Sequence, residues 1–123
     1  MTWTLTIQRM PDSRLNPNRA STKHWRSRNG GKKADTEDAH ALTLAHGLSA
    51  SMPWSRAWVT ITLSPSNKSP RDIDNFGAAC KGFLDGITKA GVLTDDKVIQ
   101  AITYQWGEIH KPHGMTEIEI DGE

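Results

Sequence analysis

The chain has 123 residues, with 15 Lys and Arg against 14 Asp and Glu and a net charge of +1 when histidines are neutral. That length fits one domain, residues 1–123, with a modest core, and no apolar run is long enough to span a bilayer. The lone Cys80 excludes an internal disulfide and a cysteine-rich zinc site; with no basic-then-apolar pattern at the N-terminus, a cytoplasmic protein is expected.

Residues 2–8 alternate, Trp3, Leu5 and Ile7 against threonines and Gln8, and predict a half-buried strand. Residues 11–31 are rich in Pro, Asn, Ser, Arg and Gly and predict a long loop. Between Arg9 and Lys33 the basic residues are Arg9, Arg14, Arg19, Lys23, Arg26, Arg28, Lys32 and Lys33, with Asp12 the only acid. Two readings of this stretch stand side by side: an arm that holds a polyanion, and a solvated basic loop. Trp25 within it suits either stacking on an unpaired base or anchoring the loop to the core.

Helical spacing of Ala39, Leu42 and Ala45 predicts a helix over 35–48, with acids in its first turn where the helix dipole favours them. Residues 58–63 alternate and predict a second strand; 65–71 are a turn. A second helix is expected over 72–89, with the core stripe Ile73, Phe76, Cys80, Leu84 and Ile87 and a cap at Gly91. Strands follow at 98–106 and 115–120, around a turn at 110–114. Trp54, Trp58 and Trp106 are expected in the core or at a dimer interface, and His110 and His113 on a surface turn rather than at a metal. This element order predicts a two-layer α+β sandwich, a small mixed sheet with two helices packed on one face.

Four aspartates carry the chemistry. Asp72 and Asp74 open the second helix, and Asp95 and Asp96 follow it. Helix capping covers one of Asp72 and Asp74 and leaves the other unexplained, and Asp95 and Asp96 suit a turn. Brought together at one sheet edge, they would repel unless a cation lay between them, and hard oxygen ligands select Mg²⁺ or Mn²⁺. Lys81 shares a helix face with Asp74, Ala78 and Asp85. An i,i+4 ion pair with Asp85 and a role in neutralising a phosphate are both open to it.

The run Arg71-Asp72-Ile73-Asp74-Asn75, then Lys81, Leu84-Asp85-Gly86, Ala90-Gly91-Val92 and Asp95-Asp96, resembles the signature of the RusA family of Holliday-junction resolvases. About a quarter of the chain carries it densely, and Asn16-Pro17-Asn18-Arg19 after the first strand agrees with it. In some members the lysine stands nearly one helical turn closer to the Asp-Asn pair; others have the spacing seen here. The resemblance implies a Mg²⁺-dependent homodimer, often phage-encoded, that resolves four-way DNA junctions by paired symmetric nicks in a bacterial or phage-infected cell. It implies Asp72, Asp74 and Asp96 as metal ligands, Asp95 as a supporting acid, Lys81 as the essential lysine, and Asn16, Arg19, Lys23, Arg26 and Arg28 as DNA contacts. The alternative is a catalytically inactive DNA-binding module of the same fold; a third possibility is a structural domain whose acids are caps and turns.

Overall fold

A computed structural model describes residues 1–15 and 25–123, without the side chains of Arg14 and residues 25–28. Asn16, Arg19 and Lys23 lie outside the described residues, and Arg26, Arg28 and Trp25 are placed by backbone alone.

Four strands form one mixed sheet in the order β1 (Thr2–Ile7), β4 (Met115–Gly122), β2 (Ala57–Ser64), β3 (Ile99–Trp106). β4 runs antiparallel to both β1 and β2, whereas β2 and β3 are parallel. A parallel pair needs a crossover, which α2 (Ile73–Ala79) and α3 (Lys81–Ala90) supply. α1 (Trp25–His46) packs along α3. The strand alternation read from the sequence holds: Trp3, Leu5, Ile7, Val59, Ile61, Leu63, Ile118 and Ile120 are buried in one core under the helices. The result is the expected two-layer α+β architecture.

Among the described residues the opposite sheet face has no helix on it and, Trp58 apart, is polar. Register places Thr4, Glu119, Thr60 and Thr103 in one row across the strands, and Thr6, Glu117, Thr62 and Gln105 in the next. Asp121 continues the acidic stripe along β4.

Three expectations are corrected. The first helix begins at Trp25, ten residues earlier than its spacing predicts, and takes in Gly30, Gly31 and the last third of the expected loop. Glycine costs a helix about 1 kcal/mol relative to alanine, so local propensity argued for a loop; contact with α3 overrides it. There Gly82 and Gly86 bring the two helix backbones together. A Cβ on Gly86 would fall on the Thr36 carbonyl oxygen, 2.8 Å from Ala39 Cβ and 2.9 Å from His40 N. One on Gly82 would lie 2.9 Å from Asp35 Cβ.

Asp35 is consequently not a first-turn acid. It is fully buried, with Oδ1 2.6 Å from Arg9 Nη1 and Oδ2 accepting from the Asp12 amide at 3.0 Å. Arg9 also bonds Asp38, at 2.7 Å from Nη2. Burial pushes the Asp35 carboxyl upward in pKa, and the Asp12 amide and Arg9 oppose that shift without cancelling it.

The expected continuous helix over 72–89 is two helices joined at Cys80, whose amide bonds back to Gly77 O at 3.0 Å. The break lets α2 lie against β3 while α3 follows α1. Gly77 permits the first contact, because a Cβ there would stand 3.0 Å from the Tyr104 ring. Cys80 is buried as expected and Trp54 joins the core, but Trp58 and Trp106 are partly exposed because β3 is an edge strand and the outer face is open.

Gly86→Ala should cost about 1–3 kcal/mol by overpacking, read as a lower urea midpoint at unchanged slope. Leu44→Ala, on the exposed side of α1, should move the midpoint by less than about 0.5 kcal/mol. Equal effects would show that the helices do not meet at Gly86.

Candidate functional site

The acids first do local work. Asp72 is the N-cap of α2, extended in backbone, and its Oδ1 accepts from the Asp74 amide at 3.0 Å. Asp95 does the same for a 3-10 turn, Asp96–Val98, accepting from the Lys97 amide at 2.9 Å. Capping therefore accounts for one acid of each pair, as the residue types allow. Asp74 and Asp96 are left for other roles.

Asp96 meets Lys81. The Lys81 ammonium is 3.1 Å from Asp96 Oδ2 and 3.1 Å from Asp85 Oδ1. Asp85 Oδ2 in turn lies 3.2 Å from the Lys32 ammonium on α1. The i,i+4 pair open to Lys81 in the sequence thus forms, and a second, longer-range pair joins it to the acids after α3. Hydrogen bonds to Asp85 and then Asp96 raise the Lys81 pKa, so this lysine is a fixed cation at neutral pH and not a proton acceptor. Asp96 is held below the ordinary carboxylate range by its hydrogen-bond neighbour Asp95 and by Lys81.

Lys81 and Asp96 stand on a cleft of about 460 Å³ between the helices and the edge strand, lined further by Gly77, Ala78, Ile102 and Tyr104. A second hollow of about 350 Å³ runs from Lys81 to Asn29 and Lys32 on α1. Asp74 precedes the cleft-lining Ala78 by four residues, about one helical turn. A scan of the chain against protein-family models finds no match, and none is found among curated proteins.

The four aspartates are not gathered into one cage. Among the described residues, no group of three or more His, Cys, Asp or Glu side chains stands close enough to hold a metal ion. The parallel β2–β3 pair explains this. The crossover leaves past the end of β2, where Asp72 sits, and returns before the start of β3, where Asp96 sits. The close acid pair is Asp95–Asp96. Mg²⁺ commonly takes one or two protein carboxylates and completes its shell with water and substrate phosphate, so this pair fits an open seat for such an ion rather than a closed one. His110 and His113 lie at the turn before β4, in keeping with a surface role.

Two participants escaped the sequence. Lys32 reads there as one more charge in a basic run, because nothing local shows that α1 crosses α3 beside Asp85. Asp85 was visible as an i,i+4 partner, but not as the link between Lys81 and Lys32.

Beneath the cleft, burial pushes the Cys80 thiol up to about 12, with the Asp35 charge adding to the shift. A raised thiol pKa contributes stability that is complete below its ordinary value of 9.0 and is lost as pH rises toward the folded value. Stability should therefore fall between about pH 9 and about 12, and Cys80→Ala should flatten that decline relative to its own neutral-pH value. At pH 8 the native thiol should resist a disulfide reagent and react on unfolding. Rapid labelling of the native protein would contradict this burial.

Proposed function

We propose that this chain is a Mg²⁺-dependent, structure-selective DNA endonuclease that resolves four-way junctions, the activity implied by its likeness to RusA-type resolvases. The observation that carries the reading is the Lys81 ammonium, 3.1 Å from each of Asp85 and Asp96 at the cleft wall. A cation fixed between two carboxylates, beside a third acid, Asp95, suits a site that must receive a phosphodiester and stabilise the charge that grows on it.

Each residue has a distinct task in this reading. Asp85 orients Lys81 and keeps it protonated. Lys81 turns from Asp96 toward the entering phosphate and neutralises it, which frees an Asp96 oxygen. Asp95 and Asp96 would hold the divalent ion; the resemblance also implies Asp72 and Asp74 as ligands, but they stand at the other end of the crossover, outside that seat. When bound, such an ion polarises the phosphate and makes hydroxide available from water near neutral pH. The basic N-terminal half of α1 leads from Lys32 toward Arg28 and Arg26 and would track the DNA backbone. Two symmetric nicks in a two-fold junction fit a homodimer with paired sites.

The test is a labelled four-way junction incubated with and without Mg²⁺. Metal-dependent paired nicks are expected, abolished in Asp96→Asn with the fold intact; equal loss in Asp74→Asn would mean that the two acid pairs come together when DNA and metal bind. Binding without cleavage by the wild type would point instead to an inactive DNA-binding module.

Lys81 separates structure from chemistry. Lys81→Ala should melt within about 1 kcal/mol of wild type, since exposed ion pairs contribute little, yet lose on the order of a hundredfold or more in turnover. Asp85→Asn removes the same helix pair and should have a milder effect on rate. Equal, small effects from both would reduce Lys81 to a surface ion pair.

A further inference from the structure

A hollow separate from the cleft lies at the far end of β3. Its volume is about 240 Å³, and its walls include Asn67, Lys68, Arg71, Trp106, Gly107 and Ile109. This is below the about 300–1,000 Å³ usual for drug-sized ligands, and it admits one small ring system.

The chemistry of the walls is unusual for a surface hollow. Trp106 is 40% exposed and Ile109 39%, so two large apolar side chains remain open beside one another. The indole does not swing freely: it packs edge-on against Phe76 of α2, with centroids 5.7 Å apart at 64°. Gly107 follows it, tied to Leu63 O at 2.8 Å and packed so closely that a Cβ would lie 2.9 Å from Thr62 Cγ2.

Opposite stands a cationic loop. Arg71 donates to Asn67 O at 3.0 Å, Ser69 O at 2.7 Å and Asn67 Oδ1 at 2.7 Å. All three acceptors are neutral, so the loop holds the guanidinium in place without cancelling its charge. Lys68 has no carboxylate partner among the described residues, and no acid lines the hollow. An open, braced aromatic ring facing two uncompensated cations fits a planar ring joined to an anion.

We propose that this hollow binds one unpaired nucleotide of a DNA strand, its base against Trp106 and its phosphate toward Lys68 and Arg71. The proposal rests on the nucleic-acid reading above but not on cleavage. It also relates the hollow to the acids, because Arg71 immediately precedes Asp72 and Phe76 follows Asp74 by two residues on α2. A distorted or unpaired position in branched DNA would then be gripped beside the first acid pair. Perfect duplex, whose bases are stacked away, would leave the hollow unused.

The experiment uses the full chain without added metal and a fluorescein-labelled ten-residue oligothymidylate, followed by anisotropy. Trp106→Ala should weaken binding about tenfold or more, in keeping with the loss of one base–aromatic stack, while Trp106→Phe should retain most of it. Lys68→Glu, a change at an exposed side chain that leaves the Phe76 contact intact, should weaken binding to a similar degree and reduce its salt dependence. Thermal melts show which variants remain folded. With 5-iododeoxyuridine in the strand, ultraviolet light should join the base to the peptide that contains Trp106. Unchanged affinity in folded Trp106→Ala and in Lys68→Glu, or a cross-link confined to other peptides, would overturn the proposal. Junction nicking in Mg²⁺ is scored separately. Nicking without a role for Trp106 sinks only the hollow, and Trp106-dependent binding without nicking sinks only the nuclease.

Discussion

The contact between the backbones of α1 and α3 governs most of what this molecule presents to solvent. Helices usually pack with axes about 8–10 Å apart, at a distance set by the side chains between them. Here Gly82 and Gly86 leave almost nothing between them, and Thr36 and Ala39 fill the space directly. Thr36 then donates its hydroxyl to the Gly82 carbonyl at 3.1 Å. At this separation Lys32 reaches Asp85 at 3.2 Å and joins α1 to the Lys81 pairs, which themselves lie within α3 and the turn after it. The α1 end of the ion-pair chain follows from the close approach that two missing Cβ atoms allow.

The same close approach explains a buried charge. Asp35 is shut in where α1 comes down beside α3, and Arg9 enters from the end of β1 to meet it. Burial alone would lower the Arg9 pKa, but Asp38 and Asp35 outweigh it and raise it. The guanidinium also lies over the Phe83 ring, 5.2 Å from its centroid. Removing one member of a buried pair typically costs about 3–5 kcal/mol, because the other is stranded. Arg9 thereby ties the first strand to the long helix across the segment between them.

The sheet was legible in the sequence because period-two alternation is a local signal, read in residues 2–8 and 58–63; the edge strand β3 does not alternate in burial. The buried stripe Cys80, Leu84 and Ile87 was legible from a local signal of its own, spacing by three and four. The start of α1 was not, since Gly30 and Gly31 give the local code for a loop and the contact that overrides them is 50 residues away. The kink at Cys80 was hidden too: the apolar spacing runs evenly through it, and the break answers to Tyr104 on a strand not yet formed. At the candidate site, the aspartates and Lys81 were visible as residue types. Which of them meet depends on the parallel crossover, and hydrophobic pattern alone does not set that direction.

The stripe of Glu117, Glu119 and Asp121 down the outer sheet face has a bearing on how large charged bodies meet this protein. The near-zero net charge conceals an uneven distribution: β4 lines three acids along one face, whereas the helix side mixes Lys32, Lys33 and Lys81 with acids such as Glu37, Asp38, Asp85 and Asp96. A polyanion approaching the sheet meets repulsion, with no Lys or Arg interleaved along that stripe. Torque acts before contact. Encounters are sorted by orientation at distances up to about a Debye length, roughly 8 Å in physiological salt, so the acidic stripe bears on arrival geometry without having to make a contact of its own.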